Sequence, residues 1–187
     1  MQKLRLAFAT FPEMQTERLR LRAVEPGDAD AMFRIMSDAR VMRYFGSQPM
    51  ATRDEAVRRI TGIRTAFAQR EGVRWAITSR EDGTFMGTCG FWRLMPEHFR
   101  AEIGYELGPE WWGKGIMPET IRAALTFAFG PMGFHSVEAQ IHPANIASRR
   151  ALEKVGFVQE GYFHENYFDV IENGFTDTAV FSILNEK

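Results

Sequence analysis

The stretch Glu102-Ile103-Gly104-Tyr105-Glu106-Leu107-Gly108-Pro109-Glu110-Trp111-Trp112-Gly113-Lys114-Gly115-Ile116-Met117-Pro118 constrains the fold more than any other. A strand ends within it, glycines follow, and an apolar helix begins. Ile121, Ala124, Leu125, Ala128 and Phe129 then recur at helical spacing. Pro118 suits a first helical turn, where its missing N–H costs nothing. Gly113 and Gly115 let the backbone turn so that several N–H groups converge, and the helix N-terminus adds partial positive charge. Together they predict an anion site suited to phosphate or pyrophosphate. A plain glycine turn between strand and helix is the other reading of the same residues.

Two phosphate-binding motifs are excluded. From Gly108 to Lys114 the chain satisfies the first seven positions of Gly-x-x-x-x-Gly-Lys-Ser/Thr, but Gly115 stands where the magnesium-binding hydroxyl is required. The dinucleotide fingerprint Gly-x-Gly-x-x-Gly begins at Gly113 and Gly115 but meets Pro118 at its third glycine.

The rest of the chain reads as strands and helices without a repeat or linker. Arg18-Leu19-Arg20-Leu21-Arg22 alternates at period two, as a strand does. Pro26-Gly27-Asp28 ends it and starts a helix through Met32 and Met36. Thr52 and Glu55 form a capping-box pattern ahead of Ala56, Ile60, Ile63 and Phe67, a helix expected to end near Arg70 with Gly72 as its stop. Residues 73–78 and 85–94 flank the turn Glu81-Asp82-Gly83-Thr84 and form a hairpin. A further strand covers 99–107. Then follow helix 115–130, strand 135–141, helix 145–155, strand 157–163 and a final strand at 176–184. Antiparallel strands first and strand–helix–strand units after imply an α/β (α+β) domain whose mixed sheet is covered by helices. Residues 1–13 fall outside this plan, as an N-terminal extension that is either a flexible tail or an extra edge strand; 14–187 form the domain.

Hydrophobic residues make up 45% of 187, enough for a sizeable core. No apolar run approaches the roughly 18 residues that span a bilayer, and the first 13 residues lack a signal-peptide core. The expectation is a cytoplasmic protein without membrane contact. The single cysteine, Cys89, permits no internal disulfide and is read as a buried strand thiol rather than a reactive one. A net charge of −1 gives no sign of direct nucleic-acid binding. Residues 1–80 hold 15 Lys/Arg and 9 Asp/Glu, and residues 81–187 hold 8 and 15. The acidic second half would attract a cationic substrate, or is simply a solvated surface. His98, His135, His142 and His164 show no metal-ligand spacing, so no metal is expected.

The second informative segment is His142-Pro143-Ala144-Asn145-Ile146-Ala147-Ser148-Arg149-Arg150-Ala151-Leu152-Glu153-Lys154-Val155-Gly156-Phe157. Asn145 caps a helix, Gly156 stops it and Phe157 opens the next strand. With this segment in place the chain resembles the GNAT superfamily of N-acetyltransferases, and more closely its RimJ/RimL-type branch of ribosomal-protein N-terminal acetyltransferases. The resemblance runs from about Thr16 to Leu184. It rests on Thr16-Glu17-Arg18-Leu19-Arg20-Leu21-Arg22, residues 101–107, Trp112-Gly113-Lys114-Gly115, Asn145-x-x-Ser148-x-x-x-Leu152-Glu153-Lys154-x-Gly156-Phe157 and Glu160-Gly161 in that order.

The resemblance implies a single domain with a central, mostly antiparallel sheet of about six to seven strands, flanked by helices and splayed to admit acetyl-CoA. It implies that acetyl-CoA is the co-substrate, with its pyrophosphate on the loop of Trp112, Gly113, Lys114, Gly115, Ile116 and Met117. Met117 departs from the small residue usual there. The pantetheine arm would pair with the strand at Tyr105, Glu106 and Leu107 and be bonded by Asn145, which is also the helix cap. The reaction implied is direct attack of a primary amine on the thioester with a carboxylate base. Glu102 is the first candidate and Glu165 the second. The family's tyrosine acid is replaced by Leu152, and Ser148 matches the proposed donor to the leaving thiolate; a first-turn helix serine is its other reading. The acceptor implied is a protein N-terminal α-amine. A small-molecule amine (polyamine, amino-sugar antibiotic or toxic amine) and a non-catalytic acyl-CoA-binding module are the alternatives. A homodimer through an edge strand such as 176–184 is a further expectation.

Overall fold

The computed structural model describes residues 7–185. In them the strands are β1 (Met14–Gln15), β2 (Leu19–Ala23), β3 (Val73–Ser79), β4 (Phe85–Met95), β5 (Arg100–Leu107), β6 (Ser136–Ile141), β7 (Val158–Asp169) and β8 (Gly174–Leu184). They form one sheet in the order β1-β2-β3-β4-β5-β6-β8-β7. The strand beyond the expected seven is the two-residue β1, which pairs with Arg20 and Leu21.

Local chemistry explains most of these elements. In β2, Leu19 and Leu21 are buried while Arg20 is exposed, the alternation of a half-buried strand. The β3–β4 hairpin turns at Gly83 with φ +74, and Asp82 accepts the Thr84 N–H at 3.0 Å. Helices α1 (Ala29–Met36), α2 (Ala39–Met42) and α3 (Arg53–Gln69) cover one face of the sheet, packing Met32, Met36, Met42, Ala56 and Ile60 around Ala76. Helix α4 (Ile116–Phe129) covers the other, where Ile121, Leu125 and Ala128 join Trp75, Phe91 and Ile103 in the larger core. Helix α5 (Ile146–Glu153) adds Leu152 to that core. Of the first 13 residues, 1–6 lie outside the described residues. Phe11 packs on Phe67 and Trp75, and the Trp75 indole donates to the Pro12 carbonyl at 2.6 Å.

Two helix ends differ from expectation. Thr52 does not cap the backbone of α3; its hydroxyl donates to the Glu55 carboxylate at 3.2 Å. The helix stops at Arg70, which takes the left-handed conformation at φ 62. Gly72 serves a different purpose: a Cβ there would lie 2.8 Å from the Phe91 carbonyl, so it permits close passage beside β4. The final strand is also placed differently. β8 lies between β6 and β7, so β7 is the edge and 176–184 is not a free one.

The feature that positions the site is the junction of β5 and β6. It is the one parallel pair in the sheet, and it holds only at Arg100↔Ser136, Ala101↔Val137 and Glu102↔Glu138. Beyond Glu102 the two strands part. β6 continues to Ile141 paired only with β8, and β5 continues to Leu107 paired only with β4. A wedge therefore opens inside the sheet, with residues 103–107 presenting backbone groups that have no ladder partner on that side.

Candidate active site

At the end of β5 the chain passes through a short 3-10 turn (Pro109–Trp111) into the glycine loop. The Trp112 indole donates to the Leu107 carbonyl at 2.8 Å and ties the loop to the strand. Gly113 and Gly115 have φ +72 and +74, and α4 starts directly after Gly115, which offers no capping side chain. The described residues supply no acceptor for the backbone N–H groups of residues 113–117. Five donors at a helix N-terminus without a partner make an anion cradle. Met117 does not obstruct it, because its side chain is buried in the core beneath α4.

The loop is braced from outside. Arg18 donates to the Lys114 carbonyl at 2.9 Å and to Glu119 at 2.7 Å, and Glu119 also accepts the Thr16 hydroxyl at 2.5 Å. Burial alone would push the Glu119 carboxyl up; the bonds from Thr16 and Arg18 outweigh it and hold the group below its usual range. A cavity of about 460 Å³ lies beside this brace, with Arg18, Lys114, Arg122 and Lys154 among its lining.

Residues along β5 alternate between the two sheet faces. Glu102, Gly104 and Glu106 face α3. Glu106 is buried and bound by Arg74 at 2.8 Å, by Arg59 of α3 at 3.4 Å and by the Thr88 hydroxyl. Burial pushes its carboxyl up, but Arg74, Arg59 and Thr88 together hold it below its usual range. It is thus a locked carboxylate, and only its backbone faces the wedge. Glu102 differs. It is 3% exposed, and among the described residues its single hydrogen-bonded side-chain partner is Arg93 at 3.0 Å. Arg93 sits at φ 43 where the β4–β5 register breaks, and its guanidinium lies 4.4 Å from the centre of the Trp92 ring. Burial dominates here and raises the Glu102 carboxyl, Arg93 opposing and Glu138 adding to it. A carboxylate so raised is a stronger base than a solvated one.

On the opposite face Tyr105 points to α5. Its hydroxyl stands 2.8 Å from the Ser148 hydroxyl, while Asn145 accepts the Ser148 N–H at 3.0 Å as the helix cap. Ser148 is 8% exposed and Leu152 fully buried. Burial raises the Tyr105 phenol, the bond to Ser148 opposing. The family resemblance assigns a role only to the Tyr105 backbone. The signal for its side chain is parity, since Tyr105 is the polar-tipped residue among Ala101, Ile103, Tyr105 and Leu107 on that face. Glu165 is exposed on edge strand β7 at φ 47, and its N–H donates to the Asp177 carboxylate at 2.8 Å. It stands opposite the part of β8 that runs beyond the end of β6. Cys89 is fully buried, and burial pushes its thiol up to about 12, which leaves it unreactive. His142 stacks on Tyr44 at 5.0 Å and accepts the Ala144 N–H at 3.0 Å, a turn-forming role. No group of three or more His, Cys, Asp or Glu is placed to hold a metal among the described residues. No described helix is long and apolar enough to cross a membrane.

An open strand edge inside a sheet, continued by an anion cradle, defines a protein that binds an extended amide-bearing ligand ending in phosphate. Residues 18–158 match the Acetyltransferase (GNAT) domain family. The chain is 35% identical to the uncharacterized N-acetyltransferase YoaA of Bacillus subtilis (strain 168), over 95% of this chain and 99% of that protein. It superimposes on a GNAT-family acetyltransferase from Bacillus anthracis with a TM-score of 0.84 at 27% identity, covering 94% of this chain and 100% of that one. More distant relatives name their acceptors. One is the [ribosomal protein uS5]-alanine N-acetyltransferase of Escherichia coli (strain K12), 27% identical over 80% of this chain and 79% of that protein. Another is the spermidine N(1)-acetyltransferase of Vibrio cholerae, 24% identical over 91% and 95%. The chain belongs to the GNAT acetyltransferase family and is an N-acetyltransferase of that type, using acetyl-CoA.

Proposed function

We propose that this enzyme transfers acetyl from acetyl-CoA to the α-amine of a polypeptide N-terminus, with Glu102 as the base. The observation that carries the reading is Glu102 itself, a buried carboxyl raised by burial and seated on the last paired residue before β5 and β6 part. The backbone of residues 103–107 receives the pantetheine amides as a strand would. The N–H groups of residues 113–117 hold the pyrophosphate. Glu102, directly or through one water, takes the proton that the amine loses as its nitrogen bonds to the thioester carbon. As the carbon–sulfur bond breaks, the Ser148 hydroxyl donates a hydrogen bond to the leaving sulfur. Tyr105 in turn donates to Ser148, so a weak serine acid is assisted by a second hydroxyl.

An α-amine with a pKa of about 7.7–8.0 is partly neutral at pH 7, whereas a lysine amine near 10.4 is not. A single carboxylate base matches the first better. The relative acting on uS5 supports the same acceptor class, and the relative acting on spermidine supports a polyamine as the second reading. Of the two departures from the family pattern, Met117 turns into the core, and the acid that Leu152 lacks is supplied in this reading by the Ser148 and Tyr105 hydroxyls, which speaks against a binding-only module.

The test is a panel of peptides and small amines read by thiol release, run on the wild type and on Glu102→Gln. Peptide turnover with little small-amine turnover is expected. Glu102→Gln should lose roughly 100-fold or more in kcat/KM and the rising acid limb of the pH profile, as removal of a general base does. Exclusive turnover of small amines would refute the acceptor, and an unchanged profile would refute Glu102 as base.

A further inference from the structure

The β7–β8 hairpin has a composition unlike the rest of the chain. Residues 155–185 contain Glu160, Glu165, Asp169, Glu172 and Asp177 and no lysine or arginine. Asp169 is buried and closes the hairpin by accepting the N–H groups of Ile171 and Glu172 at 2.7 and 3.2 Å. Glu160, Glu165 and Glu172 remain exposed. The same hairpin exposes Tyr162, Phe163, Tyr167, Phe168 and Phe175, the last by 67%. Solvent-facing rings at this density are costly to hydrate and mark a contact surface.

Register places this arm at the wedge. β8 runs antiparallel to β6 and pairs Ala179 with Ile141, the last residue of β6. Residues before Ala179 therefore extend beyond the end of β6, the end toward which β5 and β6 part. The arm is also held in place. The Tyr167 hydroxyl donates to the Gly46 carbonyl at 3.2 Å, and the Gln48 amide donates to the Val170 carbonyl at 3.3 Å. Gly46 suits this contact, since its φ of +66 disfavours a side chain and a Cβ would press on the Tyr167 ring at 2.2 Å.

We infer that the arm is a docking surface for a cationic polypeptide, whose body lies along β7 and β8 while its N-terminus enters the wedge. The inference rests on the N-terminal acceptor reading and adds to it the chemistry of the chain behind the terminus. Lysine and arginine side chains satisfy both features of the arm, packing over ring faces and pairing with the carboxylates between them. Length favours a polypeptide over a small amine, because the 12 residues of β7 extend roughly 40 Å at about 3.3 Å each.

The experiment compares two peptides with the same first residues, one lysine-rich and one glutamine-rich downstream, acetylated by the full chain at low and high salt. KM is expected to be roughly tenfold lower for the lysine-rich peptide, with the gap closing as salt screens exposed charges. In a Glu160→Gln, Glu172→Gln, Phe175→Ala variant, KM for the lysine-rich peptide should rise roughly fivefold, given the modest strength of exposed pairs. kcat and the KM of the glutamine-rich peptide should hold. Equal KM values for the two peptides, unmoved by the variant, would overturn the docking surface and leave the acetyltransferase intact. A dimer in light scattering that the variant dissociates, with no change in peptide KM, would overturn it in favour of a second copy. If neither peptide is acetylated while small amines are, the acceptor reading fails first and the docking surface with it.

Discussion

Glu102 and Glu106 stand four residues apart on one face of β5, and the fold drives them in opposite directions. Both are buried, so desolvation raises both. Glu106 receives Arg74, Arg59 and the Thr88 hydroxyl, which reverse the shift; Glu102 receives Arg93 and a weaker pull from Arg100, which do not. One strand thus carries a fixed anion and a proton acceptor. Alternation within the sequence puts both on one face, but Arg59, Arg74 and Arg93 come from three other elements, and their partners are set only by register. The consequence for stability is testable. A carboxyl lowered by folding contributes stability above its unfolded pKa, near 4.3, and that contribution is lost as pH falls through the folded value. Glu106→Gln is expected to lower stability at pH 7 by about 3–5 kcal/mol, because it strands buried guanidinium charge. The deficit should narrow on acidification, where the wild type loses the same contribution. Urea unfolding at neutral and acid pH measures both, and a pH-independent deficit would show that packing rather than charge is responsible.

At the scale of elements, the parts legible in the sequence are those fixed by near neighbours. The Asp82-Gly83 hairpin, the Asn145 cap and the glycine loop into α4 all depend on residues within one turn of each other. The wedge does not. Nothing within β5 or β6 records that their pairing stops after Glu102, and nothing within β8 records that it lies inside β7. Arg70 as a helix stop was hidden for a related reason: Gly72 looks like the stop but is needed for its approach to Phe91. The glycine loop gives a clean test of backbone against space. At Gly113 a Cβ would meet nothing within 4 Å, so only its positive φ demands glycine. Gly113→Ala should therefore cost about 1–2 kcal/mol of loop conformation. That cost should appear as a roughly tenfold higher KM for acetyl-CoA with kcat little changed. Gly113→Asn should be milder, since asparagine tolerates the left-handed region. Equal effects from alanine and asparagine would point to lost contact rather than lost conformation.

On the scale of the whole molecule, β1 to β5 and β6 to β8 are two ladders joined by three residue pairs, with α4 and the core beneath bridging them. A ligand laid along residues 103–107 fills the missing rung between the ladders, and the same ligand occupies the donors of residues 113–117. Binding energy then acts on the native state alone, and at ligand 100-fold above Kd it adds about 2.7 kcal/mol of stability. The location of that gain is the sharper quantity. Amides of residues 103–107 that face the wedge, and those of residues 113–117, are without protein acceptors and should exchange with solvent readily in the free enzyme. Addition of CoA should slow both groups together, while the β3–β4 hairpin, already paired on both sides, should change little. Hydrogen exchange read by mass spectrometry resolves these segments. Slowing at residues 113–117 without residues 103–107 would mean that the phosphates bind but the arm does not pair with β5. The wedge would then be an architectural gap, and the position of Glu102 at its apex would lose its catalytic meaning.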